Sequence, residues 1–388
     1  MPDGADIDLA EEVAVLPAIS AVPAAEWDAC AGEANPFLSH DFLNALEQSG
    51  SVRAETGWLP RHLAVTDSAG ALAACMPLYL KGHSRGEYVF DWGWADAYER
   101  AGGRYYPKLL SAVPFTPVTG PRMLVRPDID RARAEEILAG GIVAVMNQLN
   151  VATAHVNFLT RSEWDRLGSF GFLQRTALQY HWSNDGYRTF DDFLAALSSR
   201  KRKAIKKERR QVAESELTIR RLVGAEIEER HWDAFFAFYM DTSDRKWGSP
   251  YLNRRFFSLL GDSMAERVLL VMVERDGRPV AGALNLIGSE TLFGRNWGCV
   301  EDYKFLHFEA CYYQAIDFAI ERGLKTVEAG AQGQHKIQRG YLPVETYSAH
   351  LIVDDGFRDA VEDFLARERR GIAQEKAMLM EESPFRRD

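Results

Sequence analysis

Basic residues are missing from the start of this chain, where the first lysine or arginine is Arg53. The apolar stretch "VAVLPAISAV" therefore lacks the positive flank of a secretory signal, and none is predicted. Long hydrophobic runs are missing too: no segment approaches the roughly 18 to 20 apolar residues that a membrane-spanning helix needs. Cysteine is scarce. Cys30, Cys75, Cys299 and Cys311 are the only ones, and none stands in a CxxC spacing or near a histidine pattern that would cage zinc. A reduced, cytoplasmic protein is the expectation, free to sit peripherally at the inner face of a membrane. An overall basic charge is also lacking, and a net charge of −10 argues against wholesale nucleic-acid binding.

What is present suffices for a large core and two domains: 388 residues, 46% of them hydrophobic and 11% aromatic. Two stretches share a rhythm of strand, turn, strand, turn, strand. They are "RHLAVTDSAGALAACMPLYLKGHSRGEYVFDWGWAD" from Arg61 and "RVLLVMVERDGRPVAGALNLIGSETLFGRNWGCVED" from Arg267. Both close on Trp-Gly, at Trp92-Gly93 and Trp297-Gly298. The second meander is followed by helical spacing from Phe308 to Ile320, a helix-stopping Gly323 and a strand from Lys325. The first half offers "DRARAEEILAGGIVAVMNQLN" as its helix, "ATAHVNFLT" as its returning strand and "FLQRTALQYHW" as a further strand. Strands mixed with helices in this order predict an α/β fold of mixed sheets flanked by helices. The C-terminal "FRDAVEDFLARERRGIAQEKAML" reads as an amphipathic helix.

One segment reverses the charge. Residues 200–210 carry eight bases and one acid, so this window holds +7 and the remainder −17. Thr189 with Asp192 forms a capping-box signature ahead of it, predicting one basic helix over 189–213. Lys201, Lys203, Lys206 and Lys207 are its phosphate-docking candidates, for a tRNA, a coenzyme A or acidic lipid headgroups, or else they make up a solvated face.

The stretch "EAGAQGQHKIQRGYLPVETYSAH", from Glu328 to His350, concentrates chemistry in a glycine-rich loop. Amide formation requires a neutral amine and a group to accept its proton; His335 and Glu328 are the two candidates for that role. Lys336 and Arg339 can clamp phosphate or carboxylate. Arg295, inside an apolar strand between Phe293 and Trp297, requires a partner, whether an internal carboxylate or a substrate. Trp297, Tyr341, Arg245, Trp247 and His307 complete the substrate-contact candidates. Asp91, Trp92, Trp94, Tyr105 and Tyr106 form a further polar-aromatic group beside the proline-rich "AVPFTPVTGPRML".

With those segments in view, the chain resembles the FemAB-like branch of the GNAT acyltransferase superfamily, the peptidoglycan biosynthesis/recognition type, from about residue 12 to 370. The resemblance rests on "PLYLKGHSRGEYVFDWGWADAYERAGGRYYPKLLSAVPFTPVTGPRML", "SSRKRKAIKKERR", "DRKWGSPYL", "GALNLIGSETLFGRNWGC", "HFEACYYQAIDFAIERGLKTVEAGAQGQHKIQRGYLP" and "SAH". It implies tandem GNAT-like domains over 12–160 and 161–355 with a C-terminal helix over 356–384, acyl transfer to an amine, and no metal. It also implies that the strands at Thr291–Cys299 and 325–331 splay to receive an acyl donor, with the acceptor amine between the domains. Where GNAT proteins carry a Q/R-x-x-G-x-G/A phosphate loop, this chain has "CVEDYKFLHFEA". The donor is thus an acyl-CoA, an acyl carrier protein or an aminoacyl-tRNA, acting as cosubstrate with no tightly bound cofactor. Three functions follow: aminoacyl transfer to a cell-wall precursor, long-chain fatty-acyl transfer to a sphingoid-type lipid amine as in ceramide synthesis, or a non-catalytic wall- or lipid-binding module.

Overall fold

The computed structural model describes residues 9–246, 250–330 and 333–386, and it divides into two compact units. The first comprises 1–33, 37–177 and 345–373; the second comprises 34–36, 178–344 and 374–388. The chain enters the second unit along the strand Leu173–Ser183 and returns to the first along Leu342–Ile352.

In the second unit the meander is as the sequence predicts. Val268–Arg275, Arg278–Ile287 and Thr291–Cys299 pair antiparallel in that order, and Leu217–Val223, a strand not expected from the sequence, pairs antiparallel with Val268–Arg275. Thr326–Glu328 then adds in parallel, and Leu173–Ser183 pairs antiparallel on its far side. The helix Glu229–Lys246 lies close against this sheet, and cross-strand Gly282 and Gly298 make the approach possible. A Cβ on Gly298 would fall 2.3 Å from the Phe238 carbonyl oxygen, so no larger residue fits there without moving the helix.

The first unit repeats the plan with differences. Trp58–Pro60, Tyr79–Lys81 and Lys108–Ser111 pair antiparallel, Thr153–Leu159 adds in parallel, and Leu342–Ile352 closes antiparallel. A second sheet holds Ala14–Leu16, His62–Thr66, Leu72–Met76 and Leu124–Val125. The two Trp-Gly pairs are not equivalent. Trp297-Gly298 lies in a strand, whereas Trp92-Gly93 opens the helix Trp92–Arg100, and the corresponding strand is Lys108–Ser111. The long helix Arg131–Leu149 starts at Asp130, whose carboxylate accepts the N–H groups of Ala132 and Arg133.

The predicted helix over 189–213 is two helices, Phe190–Ala196 and Ser199–Ala213. The capping box is there: Thr189 Oγ1 accepts Asp192 N–H at 3.1 Å, and Asp192 Oδ2 accepts Thr189 N–H at 2.9 Å. The break has a tertiary cause. Leu197 is extended and bridges to Phe385, and Ser198 N–H donates to the Pro384 carbonyl.

Candidate functional site

The parallel pairing of Thr291–Cys299 with Thr326–Glu328 ends at Phe293 opposite Glu328, although the first strand continues to Cys299. Just past that point its register against Arg278–Ile287 slips: Leu284 faces Asn296 and Asn285 faces Gly294, leaving Arg295 as the extra residue of a β-bulge. A bulge re-aims the side chain it carries. Arg295 turns to Glu328, Nη2 to Oε2 at 3.2 Å, and its Nη1 donates to the Gly294 carbonyl at 2.8 Å. Both side chains are about nine-tenths buried or more, so the costly lone charge expected in this strand is met by an internal carboxylate.

The other oxygen of Glu328 faces a residue that the sequence analysis did not single out. His181 stands directly across the antiparallel ladder, its Nε2 4.0 Å from Glu328 Oε1 and 3.2 Å from Gln179 Oε1. Burial lowers the His181 pKa, with Arg295 and Lys336 adding to the effect and Glu328 opposing it. Its signal in the sequence was Gln179 and His181 alternating as polar residues with Tyr180 and Trp182.

After Glu328 the chain turns into the short helix Gln334–Arg339. Lys336 is buried, and its ammonium donates to the Ala329 and Gly330 carbonyls at 2.7 and 3.2 Å. Those bonds cap the chain where it leaves the sheet. Burial pushes the Lys336 pKa down to about 8; Cys311 opposes that shift and Arg295 adds to it.

His335 points elsewhere. Its Nε2 lies 3.0 Å from Tyr312 Oη, and its ring packs near Phe308, His307 and Tyr312. Burial lowers its pKa, and the nearby Lys336 and Arg339 lower it further, so the imidazole is neutral at physiological pH. Trp297 joins this aromatic group through His307, ring centroids 5.4 Å apart. Tyr312 sits in a single π-turn, Glu309–Tyr313, within the helical run 306–321. Such turns insert one residue into a helix and recur at functional sites.

Lys336 and Arg339 do not converge into a clamp. Arg339 reaches back to the basic helix, Nη2 to Glu208 Oε1 at 2.9 Å, and its guanidinium carbon stacks 3.3 Å from the Phe308 ring centre. Tyr341 is fully buried and gives its hydroxyl to the Tyr312 carbonyl, which makes it part of the core. Trp247 lies outside the described residues, as does the side chain of Arg245.

The basic helix Ser199–Ala213 has two faces. Lys201 bonds Gln338, Glu208 holds Arg339 and Tyr313, and Arg209 pairs with Glu309 at 3.0 Å and Asp317 at 2.7 Å. Ile205 and Val212 bury along the same stripe. Arg200, Lys203, Lys206, Lys207 and Arg210 are exposed, with Lys206 3.1 Å from the exposed Asp191. Glu208 was legible as the one acid in the run.

In the first unit the corresponding strand end is filled by the protein itself. Arg122 is fully buried and donates to the carbonyls of Asn157, Gly120, Pro121 and Val118, while Gly120 N–H takes the Phe158 carbonyl. Asp91 and Tyr105 are buried with Lys108, whose ammonium meets Asp91, Glu87 and Ser84. Trp92 alone of that aromatic group stands more than half exposed. Among the described residues no cluster of His, Cys, Asp and Glu could hold a metal, and no helix is long and apolar enough to cross a membrane.

No curated protein matches the chain. Among solved structures it is similar to FemX, at 12% identity and a TM-score of 0.56 over 88% of this chain and 98% of that one. It is similar also to L-PGS from Bacillus licheniformis, at 9% identity and a TM-score of 0.52 over 87% and 97%. A C-terminal domain from Agrobacterium fabrum, assigned as a lysylphosphatidylglycerol synthetase, gives 7% and 0.53 over 88% and 96%. At such identities the likeness establishes the fold: two GNAT-like units in tandem, each a meander joined by a parallel strand. The family model for peptidoglycan biosynthesis/recognition matches residues 18–387, nearly the whole of a chain built this way, and the chain belongs to the FemAB-like family.

Proposed function

We propose that this protein is an N-acyltransferase whose second unit carries an acyl or aminoacyl group to an amine. The observation behind this reading is the early end of strand pairing at Phe293 and Glu328. Beyond it, one edge of Thr291–Cys299 has no strand against it among the described residues, beside a bulged arginine, a buried carboxylate and two neutral imidazoles. The edge left without a strand there can receive the amide arm of a donor, and backbone N–H groups held in place stabilise the oxyanion of a tetrahedral intermediate. Glu328, His335 and His181 are the groups at hand for the amine's proton. In the first unit Arg122 donates to the Asn157 carbonyl just past the end of the parallel pairing, which favours the second unit as the donor's seat.

The donor is a cosubstrate: an acyl-CoA, an acyl carrier protein or an aminoacyl-tRNA. The exposed bases of the helix Ser199–Ala213 dock its phosphates, or the acidic membrane surface on which the acceptor sits. Aminoacyl transfer to a cell-wall precursor agrees with the family's description. Fatty-acyl transfer to a lipid amine is the second reading; the likeness to a domain assigned to lysylphosphatidylglycerol synthesis favours its lipid acceptor, not its fatty-acyl donor. The test incubates the protein with matched donors of the three kinds and a panel of lipid and peptidyl amines, with mass spectrometry of the products. Amide from one donor class identifies the version. Absence of amide with every donor, together with tight binding of wall or lipid ligand, supports the non-catalytic module instead.

A further inference from the structure

Each unit sets one residue of its parallel-added strand against a histidine across the antiparallel ladder. In the first unit it is His155 opposite His350; in the second, Glu328 opposite His181. The two pairs can do different things. His155 Nδ1 and His350 Nδ1 lie 2.7 Å apart and share one proton, and their outer nitrogens are taken by Thr153 and Ser348 hydroxyls. Both rings are fully buried and held neutral, so this pair is closed to proton uptake.

The second pair is open. Nε2 of His181 faces two oxygens, Gln179 Oε1 at 3.2 Å and Glu328 Oε1 at 4.0 Å. A neutral imidazole meets the one acceptor in hydrogen-bond reach, Gln179 Oε1, by carrying its proton on Nε2, which leaves the lone pair on Nδ1. Among the described residues Nδ1 makes no hydrogen bond. Arg295 fixes the far oxygen of Glu328, so the carboxylate keeps its near oxygen toward the ring. This is the arrangement of a base beside a carboxylate: the Gln179 oxygen holds the tautomer, and the Glu328 charge stabilises the imidazolium once it forms.

Resting on acyl transfer in the second unit, we propose that His181 is the catalytic base, taking the amine's proton at Nδ1, and that Glu328 is its positioning residue. The amine nitrogen forms a bond to the acyl carbon, and the donor's C–S or C–O bond breaks. The proton passes from nitrogen to Nδ1 and on to the departing sulfur or oxygen, giving an amide and a free thiol or alcohol. The charged groups facing His181 are Glu328, Arg295 and Lys336. Burial, with the two cations adding to it, keeps the ring unprotonated before the amine arrives, and the carboxylate compensates the charge afterwards.

Two measurements test this. The first needs no substrate: in protein labelled with 15N-histidine, long-range proton–nitrogen spectra read the tautomer and titration of His181, assigned by the signal lost in His181→Gln. The Nε2–H tautomer is expected, with a pKa that falls when Glu328→Gln removes the facing charge. An Nδ1–H tautomer, or a pKa indifferent to Glu328→Gln, overturns the pairing. The second is the pH profile of amide formation with whichever donor the wild type accepts. His181→Gln should lower kcat about 100-fold or more with little change in KM and abolish the acid limb of the profile. His335→Ala should keep that limb. If the limb survives in His181→Gln and vanishes in His335→Ala, the base is His335 and this inference fails while acyl transfer stands. If the wild type makes no amide from any donor, acyl transfer itself fails whatever the spectra show.

Discussion

Glu208 Oε1 lies 2.9 Å from Arg339 Nη2, joining the basic helix to the short helix that carries His335. Arg339 also donates to the His335 carbonyl at 2.9 Å and lies over Phe308, while Glu208 accepts the Tyr313 hydroxyl. The charge run therefore has an inner face that builds the site and an outer face left to solvent.

The pair is largely buried, the side chains being 9% and 15% exposed. Removing one member of such a pair strands the other and costs about 3–5 kcal/mol. Arg339→Met is expected to destabilise the protein by that order in urea unfolding. Glu208→Leu combined with it should cost less than the two single changes added, since neither charge is then buried alone. Strict additivity in the double-mutant cycle would mean that the contact does not couple the two helices.

On the outer face the expectation reverses. Among the described residues Lys203 and Lys207, both exposed, enter no ion pair. Lys203→Glu with Lys207→Glu should leave the unfolding midpoint nearly unchanged, within about 0.5 kcal/mol per site. The same double variant should weaken binding to tRNA or to phosphatidylglycerol vesicles and flatten its salt dependence, by about 0.9 in the logarithmic slope for each lost contact with a duplex. Anisotropy with tRNA and vesicle co-sedimentation measure the two cases. Unchanged binding in both would leave the outer face as a solvated surface only.

The first unit predicts acid lability. Burial holds the His155 pKa down at about 3, with Lys108 adding to it, and holds His350 well below the usual range. In the unfolded chain both titrate near 6.5. Their neutral forms thus favour folding fully above about pH 6.5, and that contribution declines as pH falls toward the folded values, because the unfolded chain binds the protons first. Each imidazole costs about 1.4 kcal/mol per pH unit in that window. Urea midpoints measured from pH 7.5 to 4.5 should fall steadily, and less steeply in His350→Gln. A flat wild-type curve would show that the rings are protonated or solvated in the folded state.

Much of this fold could be read locally. The meander of the second unit, the helix from Asp130 and the Thr189–Asp192 box all announce themselves through periodicity and capping chemistry. The break at Leu197 and Ser198 could not, because its cause is Pro384 and Phe385, far along the chain. The same division runs through the site. Arg295 was visible as a charge where charge is costly and Glu328 as a candidate base, and the structure joins them. His181 was hidden: a histidine in a strand acquires meaning only from what the sheet sets opposite it, and register is a property of pairing rather than of either strand.

The two Trp-Gly dipeptides give the sharpest contrast between sequence and surroundings. A Cβ at Gly298 would lie 2.3 Å from the Phe238 carbonyl oxygen and 2.4 Å from its carbon, both backbone atoms of a long helix that cannot step aside alone. Gly298→Ala must push that helix off the sheet, and overpacking of this kind costs about 1–3 kcal/mol or more. Gly93 is in the first turn of Trp92–Arg100, where an added Cβ meets nothing within 4 Å. Alanine suits a helix better than glycine by about 1 kcal/mol at most, so Gly93→Ala should be neutral or stabilising. Thermal unfolding of the two variants side by side checks the pair: a fall in Tm for the first and none for the second. Equal losses would mean that the dipeptides share one environment, and the strand-and-helix assignment separating them would be wrong.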